Sequence, residues 1–178
     1  TRSLCDWSSD VCSSDLAREY GYHSKVITAG REVNDYMPHH IFEMLRDALN
    51  DMELSVKNSK VAVFGFSYKE NVGDVRESPS QELVTELVKR GALVTVVDPY
   101  VDQHYIESFG VSYSQDIYES LDNADGLIVM TAHDMFKGLD TDMAKKAMRK
   151  RLVIDGRRIF DKNEFIKKGF VYKGVGYV

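Results

Sequence analysis

Residues 61–80, VAVFGFSYKENVGDVRESPS, decide how the rest of the chain is read. The segment opens as an apolar β-type run, Val61-Ala62-Val63-Phe64, and breaks at Gly65. It then passes through a charged loop and ends at Ser78-Pro79-Ser80, the signature of a helix start. A strand that feeds a loop and then a helix is where α/β proteins place ligands, because the strand's carboxyl end and the helix N-terminus open on the same side. Lys69 and Arg76 add two cations to that loop, a combination suited to a phosphate group. The loop is not a dinucleotide fingerprint: Phe66, Ser67 and Tyr68 follow Gly65, and the next glycine is Gly73. The tight turn that seats a pyrophosphate on a helix N-terminus is therefore not supplied.

Downstream, strand-like and helical segments alternate. Apolar β-type runs fall at 61–64, 93–97, 111–113, 126–130, 152–154 and 170–172, with helical stretches at 81–89, 103–109, 117–121, 143–149 and 163–167. This alternation predicts an α/β fold: a doubly wound, Rossmann-like parallel sheet of six strands, with the crevice where strand order reverses. Upstream, Val33, Met37, Ile41, Met44, Ala48, Met52 and Val56 recur at steps of three and four, with Phe42, Leu45 and Leu49 beside them. They predict one long apolar-striped helix, kinked at Pro38, that packs on its own domain or is shared by two domains or subunits. Residues 25–29 read as an extended or helical connection, and 17–22 as a helix end stopped at Gly21.

The hydrophobic fraction of 43% and charged fraction of 29% suit a soluble globular chain, and no apolar run reaches the roughly 20 residues that cross a bilayer. With a net charge of −5 and no basic block, nucleic acid is not an expected partner. Residues 1–16, TRSLCDWSSDVCSSDL, have no apolar period and no signal-peptide core. DWSSDVCSSDL resembles one translated reading frame of a common DNA-sequencing adapter, so residues 1–16 are expected to be a disordered assembly artefact joined to a truncated gene. Both cysteines, Cys5 and Cys12, lie in it.

Four places carry candidate chemistry. In the first loop, Tyr68 offers a ring and a hydroxyl, Lys69 a point charge, and Arg76 a planar fork; a local carboxylate partner for Arg76 competes with that role. Asp98 ends a strand, as a ribose acceptor or as a turn former before Pro99. His133 follows the buried-type strand at 127–129, either touching a ligand or, the safer reading, serving a helix start or core hydrogen bond. In Ile154-Asp155-Gly156-Arg157-Arg158, Gly156 lets the backbone approach a ligand and Arg157 sits at the sheet's carboxyl edge. The other histidines, His23, His39, His40 and His104, have no metal-ligand spacing. Arg76, Arg157, Lys69 and Tyr68, converging from separate loops, are expected to make an anionic-ligand pocket, to which nothing adds a nucleophile, base or metal.

GFSYKENVGDVRESPS, VVDPYVD, LIVMTAHDMF and IDGRR, in this order, resemble the carboxyl-terminal half of the UDP-glucose/GDP-mannose dehydrogenase family, and GYHSKVITAGREVNDYMP is similar to its central dimerisation helix. The first loop and the helix look most like those of the UDP-N-acetylhexosamine 6-dehydrogenases, such as the UDP-N-acetylmannosamine enzyme. The resemblance implies a cytoplasmic oxidoreductase of polysaccharide biosynthesis that oxidises a sugar C6 alcohol to a carboxylate and reduces two NAD+. It also implies residues 17–58 as the helical dimerisation segment of a homodimer and 59–178 as the UDP-sugar-binding domain. By resemblance, Tyr68, Lys69 and Arg157 contact the UDP-sugar, Arg76 reaches NAD held by another domain, and Arg31 lies near the site. The family's catalytic cysteine sits in a glycine-rich loop that Cys5 and Cys12 do not match, and its NAD domain, lysine and asparagine are expected upstream. The chain alone is thus expected to be inactive as a dehydrogenase. The alternatives are a stand-alone nucleotide-binding module and an oligomerisation module.

Overall fold

The computed structural model describes residues 25–176. The expectations for residues 1–16 and 17–22 lie outside them. Helix α1, Lys25–Asp51, contains Pro38 and includes the stretch at 25–29. It spans two compact units, one ending at Met37 and one running Pro38–Val178. Its buried positions are Pro38, Ile41, Phe42, Leu45, Ala48 and Leu49, a stripe at steps of three and one. The apolar period was expected to run from Val33 to Val56; instead Val33 is exposed and the helix ends before Met52 and Val56. The stop is local: Glu53 adopts φ 58°, the Glu53 N–H donates to the Asn50 carbonyl, and the Leu54 N–H donates to the Leu49 carbonyl. This is the paired closure that ends many helices, with glutamate in the left-handed position usually held by glycine.

Beyond α1 the chain alternates as its sequence predicts. The elements are β1 (Lys60–Phe64), α2 (Pro79–Lys89), β2 (Leu93–Val97), α3 (Gln103–Glu107), β3 (Ser112–Tyr113), α4 (Ile117–Ser120), β4 (Gly126–Val129), α5 (Asp134–Lys137), α6 (Thr141–Ala147), β5 (Leu152–Asp155), α7 (Lys162–Lys167) and β6 (Val171–Gly174). The short α5 is the helix the sequence reading missed. The six strands are parallel, in the order β3-β2-β1-β4-β5-β6. Strand order reverses between β1 and β4, the doubly wound arrangement with its switch point at the end of β1.

Side-chain alternation along the strands builds a core on each face. Val61, Val63, Ile128, Leu152 and Ile154 join the buried stripe of α1 and Leu83, Val84 and Leu87 of α2. Ala62, Phe64, Leu127, Val129 and Val153 join Phe136, Ala144 and Phe165 on the opposite face. Side-chain oxygens of Ser78, Asp102, Asp116, Asp140 and Asp161 cap α2, α3, α4, α6 and α7. At the amino edge of the sheet, buried Asp125 accepts two hydrogen bonds from Arg149, both 2.7 Å, and one from the Lys60 N–H at 2.9 Å. That edge is closed by an ion pair, while the carboxyl edge carries the long loops.

Candidate functional site

The loop after β1 leaves the sheet at Gly65. Its φ is 91°, and a Cβ there would lie 2.3 Å from the Thr131 Cβ, so only glycine lets the end of β1 pack against the segment after β4. The Thr131 hydroxyl donates to the Ser67 carbonyl at 2.6 Å. Asp98, at the end of β2, is fully buried. Its Oδ2 accepts from the Phe66 N–H at 2.7 Å and the Ser67 N–H at 2.8 Å, and its Oδ1 from the Tyr100 N–H at 2.9 Å. Burial pushes this carboxyl's pKa up; hydrogen bonds from His133 and from the Phe66, Ser67 and Tyr100 amides outweigh it and hold the group below the usual value. Asp98 therefore spends its acceptors on its own loops, in accord with the turn role and not with a ribose contact.

His133, from the segment after β4, is also fully buried. Its Nδ1 accepts the Asn71 N–H at 2.8 Å. The ring proton must then sit on Nε2, which lies 3.0 Å from Asp98 Oδ2 and 3.1 Å from Ser67 Oγ. Ser67 Oγ donates to the Lys69 carbonyl at 3.0 Å, leaving its lone pair for the imidazole. The safer core hydrogen-bond reading of His133 is the one the geometry supports. It precedes α5 without a side-chain cap bond.

Tyr68 and Lys69 project from this loop. Tyr68 is 48% exposed, Lys69 is exposed, and Lys69 Nζ lies 6.0 Å from the Tyr68 ring centroid. The Tyr68 N–H donates to the Asp74 carbonyl at 2.7 Å. Arg76 takes a local partner: its Nε donates to Asp74 Oδ1 at 3.0 Å and its Nη2 to Asp74 Oδ2 at 2.8 Å. Hydrogen bonds from the Arg76 side chain and amide hold the Asp74 pKa at about 2. Ser78 then closes the loop: its hydroxyl donates to the Phe66 carbonyl at 2.8 Å and accepts from the Ser80 N–H at 3.3 Å.

Arg157 follows β5. Buried Asp155 holds this turn, accepting from the Arg157 N–H at 3.1 Å, the Phe160 N–H at 3.0 Å and the Tyr172 hydroxyl at 2.8 Å. The sequence reading assigned Gly156 to a close ligand approach. The close approach is internal: a Cβ there would lie 2.7 Å from the Val129 carbonyl oxygen and 3.2 Å from Ile41 Cδ1. The Arg157 side chain is exposed. Since β4 alone separates β1 from β5, the strand ends carrying Lys69 and Arg157 stand roughly 10 Å apart along one sheet edge. Arg31 lies on α1 in the unit that ends at Met37.

The edge thus presents Tyr68, Lys69 and Arg157 outward, with Arg76 on Asp74. Ser67, Asn71 and Tyr100, which complete the network around buried Asp98 and His133, are not singled out by the sequence. Their signal exists only jointly: Asp98 and His133 each follow an apolar strand, and those strands flank β1. Among the described residues no group of three or more His, Cys, Asp or Glu is placed to hold a metal ion, and no helix is long and apolar enough to cross a membrane.

Comparison with known proteins bears on the family and the fold. UDP-N-acetyl-D-mannosamine dehydrogenase of Methanococcus vannielii is 32% identical over 157 residues, covering 86% of this chain and 35% of that protein. UDP-glucose 6-dehydrogenase AglM of Haloferax volcanii is 34% identical over 149 residues, covering 83% of this chain and 33% of that protein. The crystal structure of an NDP-N-acetyl-D-galactosaminuronic acid dehydrogenase from Methanosarcina mazei superposes with a TM-score of 0.78 at 36% identity, covering 86% of this chain and 32% of that one. The chain spans about a third of the length of these relatives. Residues 62–162 match the UDP binding domain of the UDP-glucose/GDP-mannose dehydrogenase family, to which this chain belongs.

Proposed function

We propose that this chain is the UDP-sugar-binding portion of an NAD-dependent nucleotide-sugar 6-dehydrogenase, whose substrate lies across the carboxyl edge of the sheet. The observation that carries the reading is the pair of outward cations, Lys69 and Arg157, on loops two strands apart above the switch point. Phosphates between them meet one charge from each side, and the half-exposed Tyr68 ring offers a stacking surface for a base or sugar. Arg76 is the candidate for NAD contact, which requires its fork to exchange the Asp74 carboxylate for a cofactor phosphate. This sheet itself does not fit NAD, because the loop after β1 lacks the closely spaced glycines that admit a pyrophosphate. Hydride transfer therefore belongs to a nucleotide-binding domain and a cysteine loop outside residues 59–178, and the chain alone has no dehydrogenase activity. Residues 17–58 form the dimerisation segment; exposed Val26, Ile27 and Val33 on α1 support a homodimer through it. The protein acts in the cytoplasm.

Calorimetric titration of the chain with UDP tests the binding. Lys69→Ala and Arg157→Ala should each weaken affinity roughly tenfold, the scale of one charge-assisted hydrogen bond. No UDP binding by the unaltered chain sinks the pocket and leaves oligomerisation as its role. NADH formation from UDP-N-acetylmannosamine or UDP-glucose by this chain alone would overturn the assignment of chemistry to residues elsewhere.

A further inference from the structure

Tyr68, Lys69 and Glu70 are exposed, yet Ser67 and Asn71 on either side of them are each held by several hydrogen bonds. Ser67 is held through its N–H on Asp98, its carbonyl on Thr131 and its hydroxyl beside His133. Asn71, at φ 59°, is held through its N–H on His133 Nδ1, while its side chain donates to Asp134 Oδ2 at 2.8 Å and accepts from the Asp134 N–H at 3.1 Å and the Tyr100 hydroxyl at 3.3 Å. One imidazole therefore touches both ends of the exposed segment, Nε2 at Ser67 and Nδ1 at Asn71. The ring cannot easily turn away. Tyr100 lies against it with centroids 4.9 Å apart, Phe136 packs edge-on at 5.3 Å, and Phe136 in turn stacks on Phe64 at 4.7 Å.

We propose that His133 is a positioning residue for nucleotide binding: its neutral ring, anchored on Asp98 through Nε2–H, holds the Asn71 amide through Nδ1 and so presets the segment carrying Tyr68 and Lys69. The inference rests on the UDP-binding reading given above and assigns His133 no contact with the ligand. A segment already ordered in the free protein loses less conformational freedom when a nucleotide binds, so the clamp contributes to affinity without touching the nucleotide. The two ring nitrogens have separable duties. The first joins the loop to the core through Asp98; the second sets where the loop's far end lies.

Two substitutions separate these duties. In His133→Asn the side-chain oxygen falls near the position of Nδ1 and keeps an acceptor for the Asn71 N–H, while the bond to Asp98 is lost. In His133→Gln the amide nitrogen falls near Nε2 and keeps the bond to Asp98, while the Asn71 N–H loses its acceptor. UDP affinity of the whole chain, measured by calorimetry beside the thermal midpoint of each variant, reads the difference. His133→Gln should bind UDP roughly tenfold more weakly than the unaltered chain, and His133→Asn should recover most of that loss even where its midpoint is lower. A purely structural histidine would make affinity follow the thermal midpoint in both variants, and that result overturns the proposal. Hydrogen exchange on the unaltered chain gives a measurement that does not depend on either variant folding. Saturating UDP should slow exchange of the Asn71 amide, and an unchanged rate refutes the coupling. Binding of UDP by the unaltered chain with full affinity retained in His133→Gln removes the positioning role alone; absence of UDP binding by the unaltered chain removes the binding reading on which it stands.

Discussion

Asp98→Asn tests the buried network most directly. The carboxylate accepts from Phe66 N, Ser67 N and His133 Nε2 on Oδ2 and from Tyr100 N on Oδ1. An asparagine keeps the shape but has one acceptor oxygen. Placed toward the three donors, that oxygen turns its amide N–H2 against the Tyr100 N–H. Bonds to a charged acceptor are worth about 1 kcal/mol more than bonds to a neutral one, so three retained bonds lose about 3 kcal/mol together. The unpaired, half-buried Tyr100 amide adds about 1–2 kcal/mol. Removing a buried charge returns part of this, leaving a net loss of about 3 kcal/mol at neutral pH. Urea unfolding followed by circular dichroism would read it as a lower midpoint at unchanged slope. The pH dependence carries the sign. Asp98's pKa is lower in the folded state than in the unfolded one. Its contribution is complete above the ordinary carboxylate value of about 4 and is lost as pH falls through the folded value. The gap between the parent and Asp98→Asn should therefore narrow in acid. A loss below about 1 kcal/mol at neutral pH, or a gap that stays constant into acid, would refute the reasoning.

Two further substitutions probe backbone geometry. Gly156→Ala drives a methyl to 2.7 Å from the Val129 carbonyl oxygen and should cost about 1–3 kcal/mol in chemical unfolding; it should also weaken UDP binding, because the turn carrying Arg157 must shift. Glu53→Gly relieves a left-handed residue at the end of α1 and should stabilise the protein by about 0.5–1 kcal/mol, seen as a higher denaturation midpoint with UDP affinity unchanged.

Much of the architecture is legible in the chain because its signals are local. The apolar runs at 61–64 and 126–130, the helix-start signature at Ser78-Pro79 and the three-and-four steps from Ile41 to Leu49 each follow from the period of one element. Where local signals mislead, a neighbouring constraint had taken over. Met52 and Val56 keep the helical period, yet the closure at Glu53 and Leu54 ends the helix before them while both still pack on the core. Four-residue α5 is too short to show a period at all. At Arg76 the sequence leaves two partners open, an anion or a local carboxylate, and in the folded loop Asp74 two residues away occupies the fork.

The sequence by itself determined that β1 would end in a long charged loop carrying Lys69 and Arg76, that six strands would alternate with helices, and that Lys69 and Arg157 would follow strand ends. Resemblance to the family came from the same residues. Only the tertiary structure decided what lies beneath the loop. Asp98 and His133 are 35 positions apart and belong to strands that neighbour β1 on opposite sides, so nothing along the chain states that they meet. Their meeting depends on strand order, which is settled by packing helices on both faces of a twisted sheet rather than by any one segment's propensity. Once the order is set, a carboxylate and an imidazole face each other over the end of β1, and burial obliges them to satisfy one another and the loop amides around them. The roles of Asp98 and His133 follow from that obligation.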